Sequence, residues 1–72
     1  MSHHQILREF GELLFTQPGL HSPPAAVAAW YLRKAALFEV IAADGGSDAA
    51  DARNQAELAH RRALRLMEDR AA

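Results

Sequence analysis

Apolar residues recur at the spacing of a helix face in three stretches of the chain, and no stretch alternates as a half-buried strand does. The first stretch places five of them at positions i, i+1, i+4, i+7 and i+8: Ile6, Leu7, Phe10, Leu13 and Leu14. Ser2 and Gln5 fit a capping box ahead of this stretch, and Pro18 interrupts the chain after it. The pattern predicts a first helix at about residues 3–16.

The second stretch, residues 25–43, is apolar on nearly every side. Ser22 is the predicted N-cap, and Pro23 sits at the first helical position, where no intrahelical amide bond is lost. Gly45 suits the left-handed conformation that often ends a helix. We therefore predict a second helix at about residues 23–43.

A third helix is predicted at about residues 48–69. Ser47 or Asp48 is the expected cap, and carboxylates in the first turn with arginines toward the end suit the helix dipole. Short connectors make consecutive helices antiparallel neighbours. The sequence thus predicts a single all-α domain, a three-helix bundle. Helices 2 and 3 form a long antiparallel hairpin, with the shorter first helix packed across it.

One side of helix 2 gathers large apolar residues and is the predicted core face of the subunit: Val27, Trp30, Tyr31, Leu37, Phe38 and Ile41. Phe10 and Leu14 are expected to pack on this face from helix 1. Small residues at seven-residue spacing flank it and should let a neighbouring helix come close: Ala28, Ala35 and Ala42. Helix 3 carries a matching stripe with spacings of 4, 3, 4 and 3: Ala52, Ala56, Ala59, Ala63 and Leu66.

The opposite side of helix 2 is apolar as well: Ala29, Leu32, Ala36, Val40 and Ala43. A helix that is apolar all round is usually buried all round, and two other helices are too few to cover this one. Leu58 and Leu64 lie off the helix 3 stripe on either side. We expect a protein partner, most simply a second copy in a homodimer, to contact Leu32, Ala36, Val40 and Leu58. The alternative is that scattered apolar residues on a surface are normal.

Composition strengthens the case for a partner. A chain of 72 residues without cysteine has no disulfide to stabilise a small core, and sixteen of its thirty-six hydrophobic residues are alanine. The formal net charge of -1 gives no overall field for nucleic acid or an anionic membrane. With seven arginines and one lysine, the composition resembles that of short proteins from GC-rich bacteria, and the resemblance covers composition only.

Helix 2 is long enough to span a bilayer, but its centre carries Arg33, Lys34 and Glu39. Each charge costs about 2.5 to 3.5 kcal/mol at the centre of a membrane, more than the neighbouring alanines offset. The first residues also lack the features of a secretory signal. We expect a cytoplasmic protein with no membrane partner.

The residue types that carry chemistry are poorly placed for it. The aliphatic hydroxyls sit at predicted helix boundaries, where capping accounts for them: Ser2, Thr16, Ser22 and Ser47. The histidines lack metal-ligand spacing: His3, His4, His21 and His60. No glycine-rich phosphate loop follows a strand. We expect no catalytic, metal or cofactor site, and no small-molecule substrate can be identified.

Lys34 is unusual because it falls near the middle of the apolar face of helix 2, one turn after Trp30. One interpretation is a cation over the indole ring, or a contact with an anion or a partner carboxylate. The interpretation we favour is an extended stem whose ammonium reaches the rim or pairs with Glu9 or Glu12.

An alternative function is that of a nucleic-acid-associated accessory or regulatory protein, since Arg61, Arg62 and Arg65 form a broad face suited to phosphate contact. Two observations argue against it. A helix-turn-helix protein reads bases with the N-terminal part of its second helix, and the corresponding part of helix 3 is acidic. Glu57 with Arg61, and Arg65 with Asp69, also have the i, i+4 spacing of ordinary solvated pairs.

Overall fold

The computed structural model describes the backbone of residues 2–71 and the side chains of residues 2–69. It contains three helices, α1 (His3–Phe15), α2 (Pro24–Ala43) and α3 (Ala49–Ala71). Over the described residues there is no strand. The predicted all-α three-helix architecture is confirmed, and the predicted helix limits differ from the observed ones by at most two residues.

The capping box at the start of α1 is confirmed. The Ser2 hydroxyl accepts from the Gln5 amide at 3.2 Å, and the Gln5 side chain accepts from the Ser2 amide at 2.9 Å. At the other end, the Thr16 amide and hydroxyl both donate to the Glu12 carbonyl, at 2.9 and 2.8 Å. These hydrogen bonds pair backbone groups that have no partner within the helix at its two ends. The local sequence therefore determines where α1 begins and ends.

The predicted cap of α2 is wrong. Pro23 precedes the helix in an extended conformation and makes no side-chain capping bond, and Pro24 occupies the first turn. The reason lies in the proline pair: a residue before proline is kept out of the helical region, so Pro23 cannot be the first helical residue. The helix therefore begins one residue later, and the cap position falls on Pro23 rather than on Ser22. The Ser22 amide donates to the Gly19 carbonyl at 3.1 Å.

The connection between α2 and α3 turns at Gly45, whose φ of 75° lies in the left-handed region, as predicted. Its amide donates to the Ala42 carbonyl at 3.2 Å, which closes the last turn of α2. Asp48 directly precedes α3, and its carbonyl accepts from the Ala52 amide at 2.8 Å. This five-residue connection, residues 44–48, brings α3 back along α2 as an antiparallel hairpin.

Alanines form the interface between α2 and α3. Ala28 and Ala35 on α2 are almost fully buried. So are the four alanines of the α3 stripe: Ala52, Ala56, Ala59 and Ala63. Such small side chains let two helix backbones approach closely, which is what the spacing predicts. The hairpin is thus held by close backbone approach and contains few large side chains.

The larger apolar core lies between α1 and α2. Leu13, Trp30 and Leu37 are buried together. Phe10 packs edge-on against Phe38 with ring centroids 5.3 Å apart. The Trp30 indole N–H donates to the Leu13 carbonyl at 2.8 Å, one of the last carbonyls of α1 that lack an intrahelical partner. No Cα atom of α1 comes within 8 Å of one in α3 among the described residues. α1 therefore packs mainly on α2.

The core prediction is wrong at Leu14, which is 65% exposed, whereas Leu13 is only 2% exposed. Both residues belong to the apolar side of α1, and the position of α1 on α2 turns Leu13 inward. On α2 the predicted core face is correct for Trp30 and Leu37, which are buried. Its other members are only half-buried: Val27, Tyr31, Phe38 and Ile41. The core is smaller than the sequence indicates.

Candidate functional site

Two contacts between α2 and α3 distinguish the two sides of the hairpin. On one side, Glu39 Oε1 lies 2.9 Å from His60 Nε2. On the other side, the Arg62 guanidinium lies over the Tyr31 ring, 5.9 Å from its centroid. Helical periodicity then assigns the exposed residues that follow these contacts along each helix to one side or the other.

The side marked by Glu39 and His60 is apolar on α2. Leu32 precedes Glu39 by seven residues, two helical turns, and so lies on the same side; it is 36% exposed. Exposed small residues continue this side of α2: Ala25, Ala29, Ala36 and Ala43. Val40 is half-buried and lines a depression beside α1 together with Glu9 and Arg33. The second apolar side of α2, opposite the predicted core face, is therefore left largely uncovered by the other two helices.

On α3, Leu64 and Met67 follow His60 by four and seven residues, which puts them on this same side. Leu64 is 54% exposed and Met67 is 48% exposed. The two helices are antiparallel. The direction from Glu39 to Leu32 along α2 is therefore the same as the direction from His60 to Met67 along α3. Periodicity and the antiparallel direction thus place large apolar residues of both helices on this side, with Leu32 and Met67 at similar heights along the hairpin. We name this surface, comprising Leu32, Ala36, Leu64 and Met67, the open face.

Leu58 does not belong to the open face. It is 56% exposed and lines a groove on the other side of the hairpin with Tyr31 and Lys34. The structure therefore splits the predicted contact set, with Leu32 and Ala36 on the open face, Val40 at its edge beside α1, and Leu58 on the opposite side.

The groove beside Leu58 has a volume of about 370 Å³ and brings together the three arginines of the alternative prediction. Arg61, Arg62 and Arg65 line it from α3, and Lys34 lines it from α2. No carboxylate is among its lining residues. We name this surface, with Tyr31 and Leu58 as its apolar wall, the cationic groove.

Lys34 lies over aromatic rings, as the first interpretation of its position predicts. Its ammonium is 5.6 Å from the centroid of the Trp30 ring and 5.9 Å from that of Tyr31. Of the interpretation that we favoured, the ion pair with Glu9 or Glu12 is wrong, because Lys34 forms no ion pair among the described side chains. Its side chain lines a surface groove, which agrees with an ammonium at the rim. Arg33, one residue earlier and about 100° further round the helix, is the residue that faces Glu9, at 4.0 Å.

The charged pairs along α3 are formed only in part. Arg61 is bound to Glu57, as the i, i+4 spacing predicts. The predicted pair of Arg65 with Asp69 does not form among the described side chains, and Arg65 faces the groove. Sequence reasoning treated Tyr31 as a core residue and missed its contacts with two cations. Its i, i+3 spacing from Lys34 was the available signal.

The two surfaces offer binding chemistry: apolar contact on the open face, and charged hydrogen-bond donors in the cationic groove. Within residues 2–69, no three histidine, aspartate or glutamate side chains come together as a metal site requires. The Ser2 and Thr16 hydroxyls are engaged in helix capping.

None of the described helices combines the length and the apolar character needed to cross a membrane. No protein-family model matches this chain at a significant level, and neither does any curated protein or any solved structure.

Proposed function

We propose that this chain is a non-enzymatic helical interaction module that pairs with a second copy of itself through the open face. The observation that carries the proposal is the exposure of Leu32, Leu64 and Met67 on one side of a hairpin after all three helices have packed. Adjacent exposed apolar residues of this kind mark interaction surfaces, whereas single ones are ordinary.

The spacing along α2 fits a helical partner. The uncovered positions Ala25, Ala29, Leu32 and Ala36 follow one another at intervals of 4, 3 and 4 residues. This is the heptad-like pattern that lets two helices pack along their length. The α3 stripe has the same pattern and is already buried against α2. α2 thus carries two seams of similar chemistry, of which α3 covers one.

The surface area of the chain leaves room for an interface of standard size. The accessible area is 5329 Å² for a mass of 7.9 kDa, whereas a compact monomer of this mass exposes about 4,400 Å². This excess of about 900 Å² is spread over the whole molecule and includes Phe15 and Leu20, which are 92% and 100% exposed. A standard interface buries roughly 800 Å² on each partner. The molecule measures 39 × 22 × 15 Å, so a second elongated copy laid along the open face would give a more compact particle.

A two-fold pair is the arrangement we favour, because it is the commonest oligomer and uses the same surface patch on both subunits. The Glu39 and His60 side chains lie on this side and are both about half exposed. They would form a polar edge to an apolar centre, which is the usual anatomy of an interface.

The test is light scattering on the full chain over a concentration series. We expect a mass of twice 7.9 kDa, and we expect Leu32→Glu and Leu64→Glu to reduce it to that of one chain. Circular dichroism should show that both variants keep their helices, because the substituted residues are partly or largely exposed.

Leu58→Glu is the matched control, because Leu58 and Leu64 lie on the same helix with exposures of 56% and 54%. It should leave the dimer intact. The proposal fails if the unaltered chain has the mass of one chain at every concentration. The choice of face fails if Leu58→Glu divides the dimer while Leu64→Glu does not.

A further inference from the structure

The cationic groove lies on the side of the hairpin opposite the open face, so binding in the groove does not depend on self-association through that face. It gathers four of the eight basic residues of a chain whose formal net charge is -1. Among the described side chains, Lys34, Arg62 and Arg65 form no ion pair. A group of cations without carboxylates attracts an anion of more than one charge.

Two of the cations lie over the same aromatic ring. The Lys34 ammonium and the Arg62 guanidinium both lie 5.9 Å from the centroid of the Tyr31 ring, from two different helices. Cation–π contacts of this kind restrict side chains that are otherwise mobile. Binding then costs less ordering of long side chains, which is a general source of affinity.

The dimensions of the groove favour a small anion. Its volume of about 370 Å³ lies at the lower end of the range of small-molecule sites. Arg61 and Arg65 are one helical turn apart, about 6 Å along α3. Carboxylates flank this turn at Glu57 and Glu68. Glu57 is bound to Arg61, so the charge left for a ligand is that of Lys34, Arg62 and Arg65. These three residues suit a compact anion better than a strand laid along α3.

The wall of the groove suits an organic group beside the anion. Tyr31 and Leu58 line it between the cations, and Leu58 is more than half exposed. Guanidinium groups donate paired hydrogen bonds that match phosphoryl oxygens. We propose that the cationic groove binds a small phosphorylated molecule, with a diphosphate group between Lys34 and the α3 arginines Arg62 and Arg65.

Calorimetric titration of the full chain at low salt tests this site, with inorganic pyrophosphate and adenosine diphosphate as the two probes. We expect saturable binding of pyrophosphate that weakens as salt is raised. Tighter binding of the nucleotide would identify an organic ester as the natural source of the diphosphate, and equal binding would identify free diphosphate. Both results support the site.

The variant Arg62→Gln with Arg65→Gln should weaken pyrophosphate binding by at least about tenfold, since two charged hydrogen-bond donors are lost. The matched control is Arg8→Gln with Arg53→Gln, which removes the same charge from exposed positions outside the groove. It should change the affinity by less than about twofold, because exposed distant charges are screened.

Three results would overturn the proposal. The first is the absence of saturable pyrophosphate binding. The second is equal weakening in the two double variants, which would show a general charge effect. The third is retention of duplex DNA that pyrophosphate does not displace, which would assign the arginines to nucleic acid. Repeating the titration with Leu32→Glu shows whether pyrophosphate binding depends on self-association, because Leu32 lies outside the groove.

Discussion

Leu13→Ala is the substitution that most directly tests the packing of α1 on α2. Leu13 is 2% exposed and belongs to the cluster with Trp30 and Leu37. Truncation removes three carbon atoms, worth about 0.8 kcal/mol each when fully buried, or roughly 2.4 kcal/mol. A cavity term is added, and Leu→Ala changes in cores cost 2–5 kcal/mol in all. We expect a loss of about 3 kcal/mol.

The adjacent Leu14→Ala is the control, because it removes the same atoms from a side chain that is 65% exposed. Only about a third of the Leu14 side chain is buried, so the expected loss in the free energy of unfolding is under about 1 kcal/mol. The difference between the two variants should be about 2 kcal/mol, a large share of the stability of a small domain.

The measurement is urea unfolding followed by far-ultraviolet circular dichroism, with all variants at one protein concentration so that association contributes equally. A difference of about 2 kcal/mol separates the two midpoints by about 1 M or more. Two midpoints that coincide would refute the assignment of Leu13 to the core and Leu14 to the surface. Equal and large losses would instead show that a partner buries Leu14.

Three further substitutions, the first with a matched control, test other parts of the fold by the same unfolding measurement. Ala63→Leu should lower the free energy of unfolding by about 1–3 kcal/mol, because Ala63 is 0% exposed and a larger side chain has no room there. The control Ala50→Leu, at an exposed position, should change the free energy of unfolding by no more than about 0.5 kcal/mol. Gly45→Ala should cost about 1 kcal/mol or more, because the φ of 75° is strained for a residue with a Cβ. Trp30→Phe should cost about 1–3 kcal/mol, because the Leu13 carbonyl loses its buried donor, and an unchanged midpoint would argue against that bond.

Most of the features that local sequence determines were predictable; the exception is the N-cap of α2, which falls on Pro23 and not on Ser22. The capping box at Ser2 and Gln5 and the turn at Gly45 involve residues within a few positions of one another, so spacing alone indicates them. The alanine stripe on α3 was equally visible, because a seven-residue repeat places residues on one side of a helix whatever that helix packs against.

The features that depend on long-range packing were not predictable. Leu13 and Leu14 are neighbours on one apolar side, and only the placement of α1 on α2 decides which is buried. Likewise, the three arginines and Lys34 are separated by more than twenty-five residues in the sequence. The register of the antiparallel hairpin brings them into one groove, and no pattern in either helix alone reveals it.

The alanine interface of the hairpin has a thermodynamic consequence. Alanine has no side-chain rotamers to lose, so α2 and α3 associate without the entropy cost that leucine or methionine would bring. The same small side chains hide little hydrocarbon from water, and the heat capacity of unfolding follows the apolar area exposed. The heat capacity of unfolding of this hairpin should therefore be small for its length, and its stability should follow a weakly curved line with temperature.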